Sequence, residues 1–407
     1  MLATHKNRRP LSASVAPPPL QEDAENEQKL EQSEVKEKAE NGQSLEAELG
    51  CSPALMLKLI NFLEEDLPHL FDERGITKEQ YETQVDFRDP ITRYSSVDGY
   101  LFNIQMLRYL FSPKFELHSV KQSGPSEITT RWTMMMRFAL LPWRPELIFT
   151  GTSVMGINPT TGKFLSHVDY WDSIKNNDYF SLEGVTDVLK QLWYYKTPDL
   201  ETPKYNVLKR ANVYEVRKYE PFIVVEAPGD QLTGSKGFKN VTSYIFGNNS
   251  TGERIPMTTP VITSTVDYST PGVSIQVVLP IQSTMSSLPA PLPGTANLRE
   301  VSGGIIAAIK FTGETTEELV RSKERELRSA LNIDGLHPKP GFMLARYNDP
   351  GRTWDRIRRN EVFHGSCCCL SSHPSRFCLS RIVLRSVPSV VLIRFHAGKE
   401  QKATQFK

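Results

Sequence analysis

The sequence predicts an α+β protein built as two folded units in series. The first is a cone-shaped α+β domain, and the second is a twisted antiparallel sheet or open barrel with two helices. Three observations predict this. Residues 51–196 put helical periodicity first and alternating, strand-like segments after it, the order of helices packed on a curved antiparallel sheet. Residues 204–363 repeat the order strand, strand, helix, strand. Residues 1–50 and 364–407 read as disordered tails outside both units.

The totals agree with two domains. At 407 residues the chain has room for both, and a net charge of +1 lacks the basic excess of a general nucleic-acid binder. No apolar run approaches the ~20 residues that span a bilayer. Of the five cysteines, Cys51 stands alone, while Cys367, Cys368, Cys369 and Cys378 crowd toward the end. Three adjacent cysteines lack the spaced pairs of a zinc site, and the pattern is no disulfide framework.

From the start, His5, Lys6, Arg8 and Arg9 stand among hydroxyl residues with no acid before Glu22. That composition fits a transit peptide, or else an ordinary unstructured terminus. A Glu/Gln/Lys-rich linker fills 22–48. Ser52-Pro53 is a cap followed by proline at the first helical position, and Leu55, Leu59, Phe62, Leu63, Leu67 and Leu70 follow at helical spacing, with Pro68 placed to end or kink the helix. Thr77 with Gln80 predicts a second helix to about Phe87, and Val97 to Phe111 a third. Strands are expected at Lys114 to Lys121, Glu127 to Leu141, Glu146 to Ile157 and Lys163 to Trp171, then a helix from Leu182 to Tyr194. In the second strand Thr130, Trp132, Met134, Met136, Phe138 and Leu140 share one face, and Arg131, Thr133 and Arg137 the other. Two prolines in 196–203 mark the boundary, so the folded units are 51–196 and 204–363.

In the second unit, Tyr214 to Pro221 leads into Phe222-Ile223-Val224-Val225 and a helix from Lys236 to Phe246. Leu298 to Gly304 leads likewise into Ile305 to Ile309 and a helix opened by a Thr315/Glu318 capping box, with Glu324 and Arg328 paired four apart. Pro289, Pro291 and Pro293 stiffen the join between the halves. The first helix stops at Gly247, a polar turn follows (Asn248 to Gly252), then Arg254, and the chain resumes extended through Pro256 and Pro260. This corner sets an apolar helix face beside a cationic loop, which suits a flat apolar ligand carrying carboxylates.

The run from Tyr244 to Val261 (YIFGNNSTGERIPMTTPV) resembles the signature of the SOUL heme-binding family. Three further blocks agree in order: Tyr214-Glu215-Val216-Arg217 with Tyr219, Val301 to Phe311, and Arg346-Tyr347-Asn348-Asp349-Pro350 leading to Arg358-Arg359-Asn360-Glu361. The resemblance covers roughly 204–363 and implies an eight-stranded distorted barrel with two helices. It implies non-covalent binding of heme or a related tetrapyrrole. On the residues, the slot comprises Phe238, Val241 and Ile245 of the helix with Met257 beyond the loop, and Lys236, Lys239 and Arg254 stand ready for the propionates. No histidine lies between His167 and His337, and His337 sits in a proline-pinned turn. Binding is therefore expected without an axial histidine, as in a carrier or buffer, with Tyr244 and Met257 as the other conceivable ligands. Arg358-Arg359-Asn360-Glu361 reads first as an Arg–carboxylate lock on the last strand.

The first unit is similar to the nuclear-transport-factor-2-like superfamily. More narrowly, it is similar to the plant and cyanobacterial domain of unknown function found ahead of SOUL domains, with Phe87-Arg88-Asp89-Pro90 matching its F-x-D-P run. Trp132, Trp171, His118 and His167 would line a pocket in such a cone, with Asp169 and Asp172 nearby. The domain pairing and the N-terminal composition imply a plastid, with peripheral association with plastid membranes open. Two other readings stay open: an enzyme acting through Asp169 or Asp89, and an interaction module similar to the effector-binding domains of multidrug regulators. After Phe363 the chain departs from the family pattern. This predicts a short last strand and a weakened barrel edge, with 389–395 as a replacement strand.

Overall fold

The computed structural model describes residues 50–138, 140–141, 144–193, 199–233, 236–265 and 272–365. The transit-like segment, the charged linker, residues 194–198 and the cysteine-rich tail lie outside the described residues, as does the replacement strand expected at 389–395.

Helix α1 spans Pro53–Asp66, with the Ser52 hydroxyl accepting from the Leu55 amide at 3.3 Å. Its Met56, Leu59 and Leu63 are buried, and Pro68 turns the chain into a 3-10 turn, Leu67–His69. The helix expected from Thr77 to Phe87 is absent. Thr77 opens only the 3-10 turn Lys78–Gln80, and strand β1, Tyr81–Arg88, follows. Val85 and Phe87 alternate inward at strand spacing, and β6 (Lys163–Trp171) provides a parallel partner, so sheet pairing overrides the local capping signal. Strand β2 (Arg93–Tyr94), helix α2 (Val97–Leu110), β3 (Phe111–Gly124), β4 (Glu127–Phe138) and β5 (Glu146–Asn158) precede β6, and helix α3 (Leu182–Trp193) comes after it. The sheet runs β2-β1-β6-β5-β4-β3, and every pairing except β1–β6 is antiparallel. Helices α1 and α2 bury Leu59, Leu63 and Tyr100 against Tyr81, Ile128, Met155 and Phe164. Trp132, Met136, Phe149 and Trp171 form a second cluster, against which α3 sets Val188 and Leu192.

Part of the polar face of β4 is also buried, with Arg131 and Thr133 at 2% and 0% exposure while Arg137 stays exposed. The second unit covers it. Arg131 Nη2 donates to the Leu208 carbonyl at 3.0 Å, Thr133 Oγ1 to the Val207 carbonyl at 2.7 Å, and the Arg210 amide to Thr150 Oγ1 at 2.7 Å.

That unit consists of β7 (Tyr205–Arg210), β8 (Glu215–Tyr219), β9 (Phe222–Gly229), helix α4 (Phe238–Ile245), β10 (Val261–Thr265), β11 (Val273–Val278), β12 (Asn297–Val301), β13 (Gly304–Phe311), helix α5 (Glu317–Ile333), β14 (Met343–Arg346) and β15 (Asn360–Gly365). The internal repeat is β8-β9-α4-β10-β11 followed by β12-β13-α5-β14-β15, with β7 added as a ninth strand. The strands lie in the order β12-β9-β11-β10-β14-β15-β13-β8-β7. One face of this sheet packs under the helices: α4 against Val225, Ala227, Ile275 and Val277, and α5 against Ile309, Phe311, Leu344 and Val362. The other face curls around a cavity of about 240 Å³, whose lining includes Tyr205 from one end of the sheet order and Val301 from the other.

Two details differ from the sequence reading. Thr316, not Thr315, caps α5, accepting from the Leu319 amide at 3.3 Å, while Glu324 and Arg328 pair at 2.8 Å as expected. Strand β15 is neither short nor an edge. It runs through His364 to Gly365 and lies between β14 and β13. The departure in composition at His364 hid a strand whose partners are fixed by Glu361, Val362 and Phe363.

Candidate ligand site

The corner after α4 is built by two glycines and an asparagine. Gly237 precedes the helix at φ 88°, where a Cβ would stand 2.5 Å from the Pro228 carbonyl oxygen, and Gly247 ends the helix at φ 103°. Asn249 ties the loop: its Nδ2 donates to the carbonyls of Tyr244 (3.1 Å) and Glu253 (2.7 Å), and its Oδ1 accepts from the Glu253 amide (3.1 Å). The Ile255 amide donates to the Ile245 carbonyl at 2.9 Å, so Arg254 to Met257 lie directly beside the helix end.

These contacts divide the predicted slot. Val241 and Ile245 are 0% and 5% exposed and face the sheet with Tyr244, so the helix face expected to receive a ring is already filled by β9 and β11. The reason is spacing. Positions 241, 244 and 245 form one apolar stripe, and that stripe closes the domain core. What remains exposed lies outside that stripe. Phe238 (39%), Met257 (58%) and Phe246 (58%), the last of them absent from the expected slot, are exposed large apolar side chains. Lys236, Lys239 and Arg254 are exposed beside them in the chain, and none of the three makes an ion pair among the described residues. An exposed helix-end aromatic is detectable in the sequence as Phe246 next to Gly247, outside the 241/244/245 stripe.

Tyr244 is closed off as an iron ligand. Its hydroxyl donates to the Pro289 carbonyl at 2.8 Å, and burial, with Glu253 nearby, pushes the phenol up to about 12. The described histidines of this domain, His337 and His364, are elsewhere. His364 is fully buried with Nε2 3.0 Å from Glu324 Oε1, and it shares a small void with the exposed His337 under α5, beside Val216 and Leu331. Both belong to the α5 side of the sheet, whereas the corner belongs to α4.

The Arg–carboxylate lock is present and larger than expected. Glu361 accepts from Arg217 at 2.7 and 2.9 Å, from Arg359 Nη2 at 2.8 Å and from the Tyr347 hydroxyl at 2.7 Å. Arg217 also reaches Glu215, which Lys310 contacts at 2.6 Å. Burial disfavours the charge on Glu361, but the Arg217 and Arg359 guanidinium groups outweigh it and hold the carboxyl far below the usual range. Arg358 instead donates to the Thr353 and Pro350 carbonyls. These groups underlie the interior cavity through Tyr205, Tyr219 and Tyr347, with Arg217 over the Tyr205 ring and Arg359 over the Tyr347 ring.

In the first unit the four expected pocket residues separate. Trp132 donates to Ser153 Oγ (2.8 Å), Ser153 to Asp169 (2.6 Å), and His167 Nε2 lies 3.0 Å from Asp169, so these share the concave face with Trp171. His118 lies on the opposite face, 2.8 Å from Thr133 Oγ1, because Thr133 points to the second unit. Asp89 closes a turn by accepting from the Ile91 and Thr92 amides, and burial pushes its carboxyl up to about 6. Asp172 is engaged by Arg131 and Thr150.

Residues 200–364 match a family described as SOUL heme-binding protein, and residues 57–167 match one described as an uncharacterized conserved protein (DUF2358). The SOUL match thus follows the match to that second family along the chain. Among curated proteins there is no match. Solved structures it is similar to include an NTF2-like protein of unknown function from Exiguobacterium sp. 255-15, at 15% identity over 24% of this chain and 80% of that one, with a TM-score of 0.22. A hydrolase from Listeria innocua aligns at 11% identity over 38% of this chain and 91% of that one, TM-score 0.30. The EcmrR C-terminal domain aligns at 11% over 40% and 97%, TM-score 0.30. No helix among the described residues is long and apolar enough to cross a membrane.

Proposed function

We propose that the second domain holds heme or a related tetrapyrrole non-covalently on the open face of the α4 corner, and that the protein carries or buffers this ligand in a plastid. The observation that carries the reading is the corner itself: Phe238, Phe246 and Met257 stay exposed, close in sequence to three cations without ion pairs among the described residues, in a domain that matches a heme-binding family. The fit is to a surface. The interior cavity, about 240 Å³, falls below the roughly 300–1,000 Å³ of pockets that enclose drug-sized ligands, so the ring is laid on the outside of the barrel. The apolar side chains take the ring, and Lys236, Lys239 and Arg254 meet the propionates. This reading assigns the iron no imidazole, since the described histidines of the domain, His337 and His364, lie on the α5 side. Bound heme would supply a redox-active iron; the chain's part is to shield the ring and release it. The acid-free start of the sequence supports the plastid.

Titration of the full chain with hemin, followed in the Soret band, tests this. Lys239→Glu/Arg254→Glu is expected to weaken binding about tenfold, the sum of several exposed charge contacts, without changing the circular dichroism. Phe238→Asp/Met257→Asp is expected to weaken it further. Wild-type affinity in both double variants would remove the corner as the site.

A further inference from the structure

The junction between the two domains holds a cleft of about 690 Å³, within the roughly 300–1,000 Å³ of ligand pockets and at a domain interface, where such pockets concentrate. Its walls come from the segment after β6, the first turns of α3, the β7–β8 turn and the C-terminal turn of α5. They are rigidly joined. Arg210 grips Asp187 with two bonds of 2.8 and 2.9 Å across the junction, and Arg131, Thr133 and Thr150 bond the β7 backbone. The acids are all engaged: Asp172 by Arg131, Asp187 by Arg210 and Ser173, Asp334 by Lys209 and Tyr214. Glu183 accepts from the Lys175 and Asn176 amides at 2.9 and 3.2 Å. The amines of Lys175 and Lys190 are exposed and have no side-chain ion pair among the described residues, although Glu183 lies near enough to Lys175 to feel its charge. Two exposed aliphatic side chains, Ile333 (80%) and Val213 (37%), also line the cleft.

We propose that this cleft is a second ligand site, distinct from the α4 corner, for an amphipathic organic anion. The flat apolar body rests against Ile333 and Val213, and its acid groups are held by Lys175 and Lys190. Asp172, Asp187 and Asp334 each already answer a cation, and Lys175 and Lys190 outnumber Glu183, so the uncompensated charge in the cleft is positive and favours an anion. A ring system bearing two carboxylates, of tetrapyrrole size or smaller, has the right volume and charge. The site does not depend on the corner being occupied.

The test uses the full chain carrying Phe238→Asp/Met257→Asp, titrated with iron-free protoporphyrin IX and read by porphyrin fluorescence and absorbance. One saturable site is expected to remain. Adding Lys175→Glu/Lys190→Glu should weaken it about tenfold, while Lys175→Arg/Lys190→Arg should retain it. Ala330→Trp, which adds bulk to the cleft wall without altering charge, should block it. The dimethyl ester of protoporphyrin should bind equally to the wild-type and Lys→Glu chains. No saturable site in the corner variant, or a site indifferent to both Lys→Glu and Ala330→Trp, overturns the proposal. If instead the corner variant binds with the wild-type stoichiometry and only the cleft variants lose affinity, the corner reading fails and the cleft stands.

Discussion

Glu361→Gln is expected to lower the unfolding free energy of the second domain by about 3–5 kcal/mol, the usual cost of breaking a buried ion pair by removing one partner. Glu361 is 0% exposed and answers two guanidinium groups, Arg217 and Arg359, of which Arg217 is itself fully buried. A neutral amide keeps the shape but leaves both cations short of their counter-charge. The pH dependence has a definite sign. Glu361 and Glu215 both have depressed folded-state values, Glu215 down to about 2, where burial opposes ionisation and Lys310 and Arg217 overcome it. A depressed carboxyl contributes stability that is complete above the unfolded value, about 4.3, and is lost as pH falls through the folded value. Urea midpoints measured between about pH 5 and 2 should therefore fall steeply in the wild type and less steeply in Glu361→Gln. Parallel curves, or a loss at pH 7 below about 1 kcal/mol, would show the network to be peripheral to stability.

Arg131→Met is the second large effect, also about 3–5 kcal/mol, because Asp172 is then buried with only the Thr150 hydroxyl. The consequence is not confined to the first sheet. Arg131 Nη2 also satisfies the Leu208 carbonyl of β7, so the substitution loosens the seam that joins the domains. The wild type is expected to unfold in one cooperative step and Arg131→Met in two. A variant that still melts in one step at the wild-type midpoint would mean that the seam carries little of the coupling.

Much of the fold is legible in the sequence, and the failures have physical causes. The limits of β6 are readable as observed, and those of β4 and β5 within a few residues, because β-branched and aromatic residues recur in these runs and turn residues flank them. The helix expected at Thr77 fails since a local cap cannot outweigh a waiting strand partner, β6, more than 70 residues away. At the site, residue type is readable but facing is not. Phe238, Val241, Ile245 and Met257 are all apolar, yet which stripe of a two-turn helix enters the core depends on where β9 and β11 lie. Arg217 and Glu361 are 144 positions apart, so their pairing emerges only when β8 and β15 flank β13. The polar face of β4 likewise carries no sign that another domain covers it.

The comparison of hemin with iron-free protoporphyrin IX, titrated into the full-length chain carrying Lys175→Glu/Lys190→Glu to weaken the cleft, bears most directly on how the α4 corner holds its ligand. If the grip comes from apolar contact and from Lys236, Lys239 and Arg254, the two dissociation constants should agree within about threefold, under about 0.7 kcal/mol. Hemin binding tighter by about a hundredfold or more, close to 3 kcal/mol, would mean that a protein side chain ligates the iron, and a corner that grips the ring without touching the metal would be contradicted.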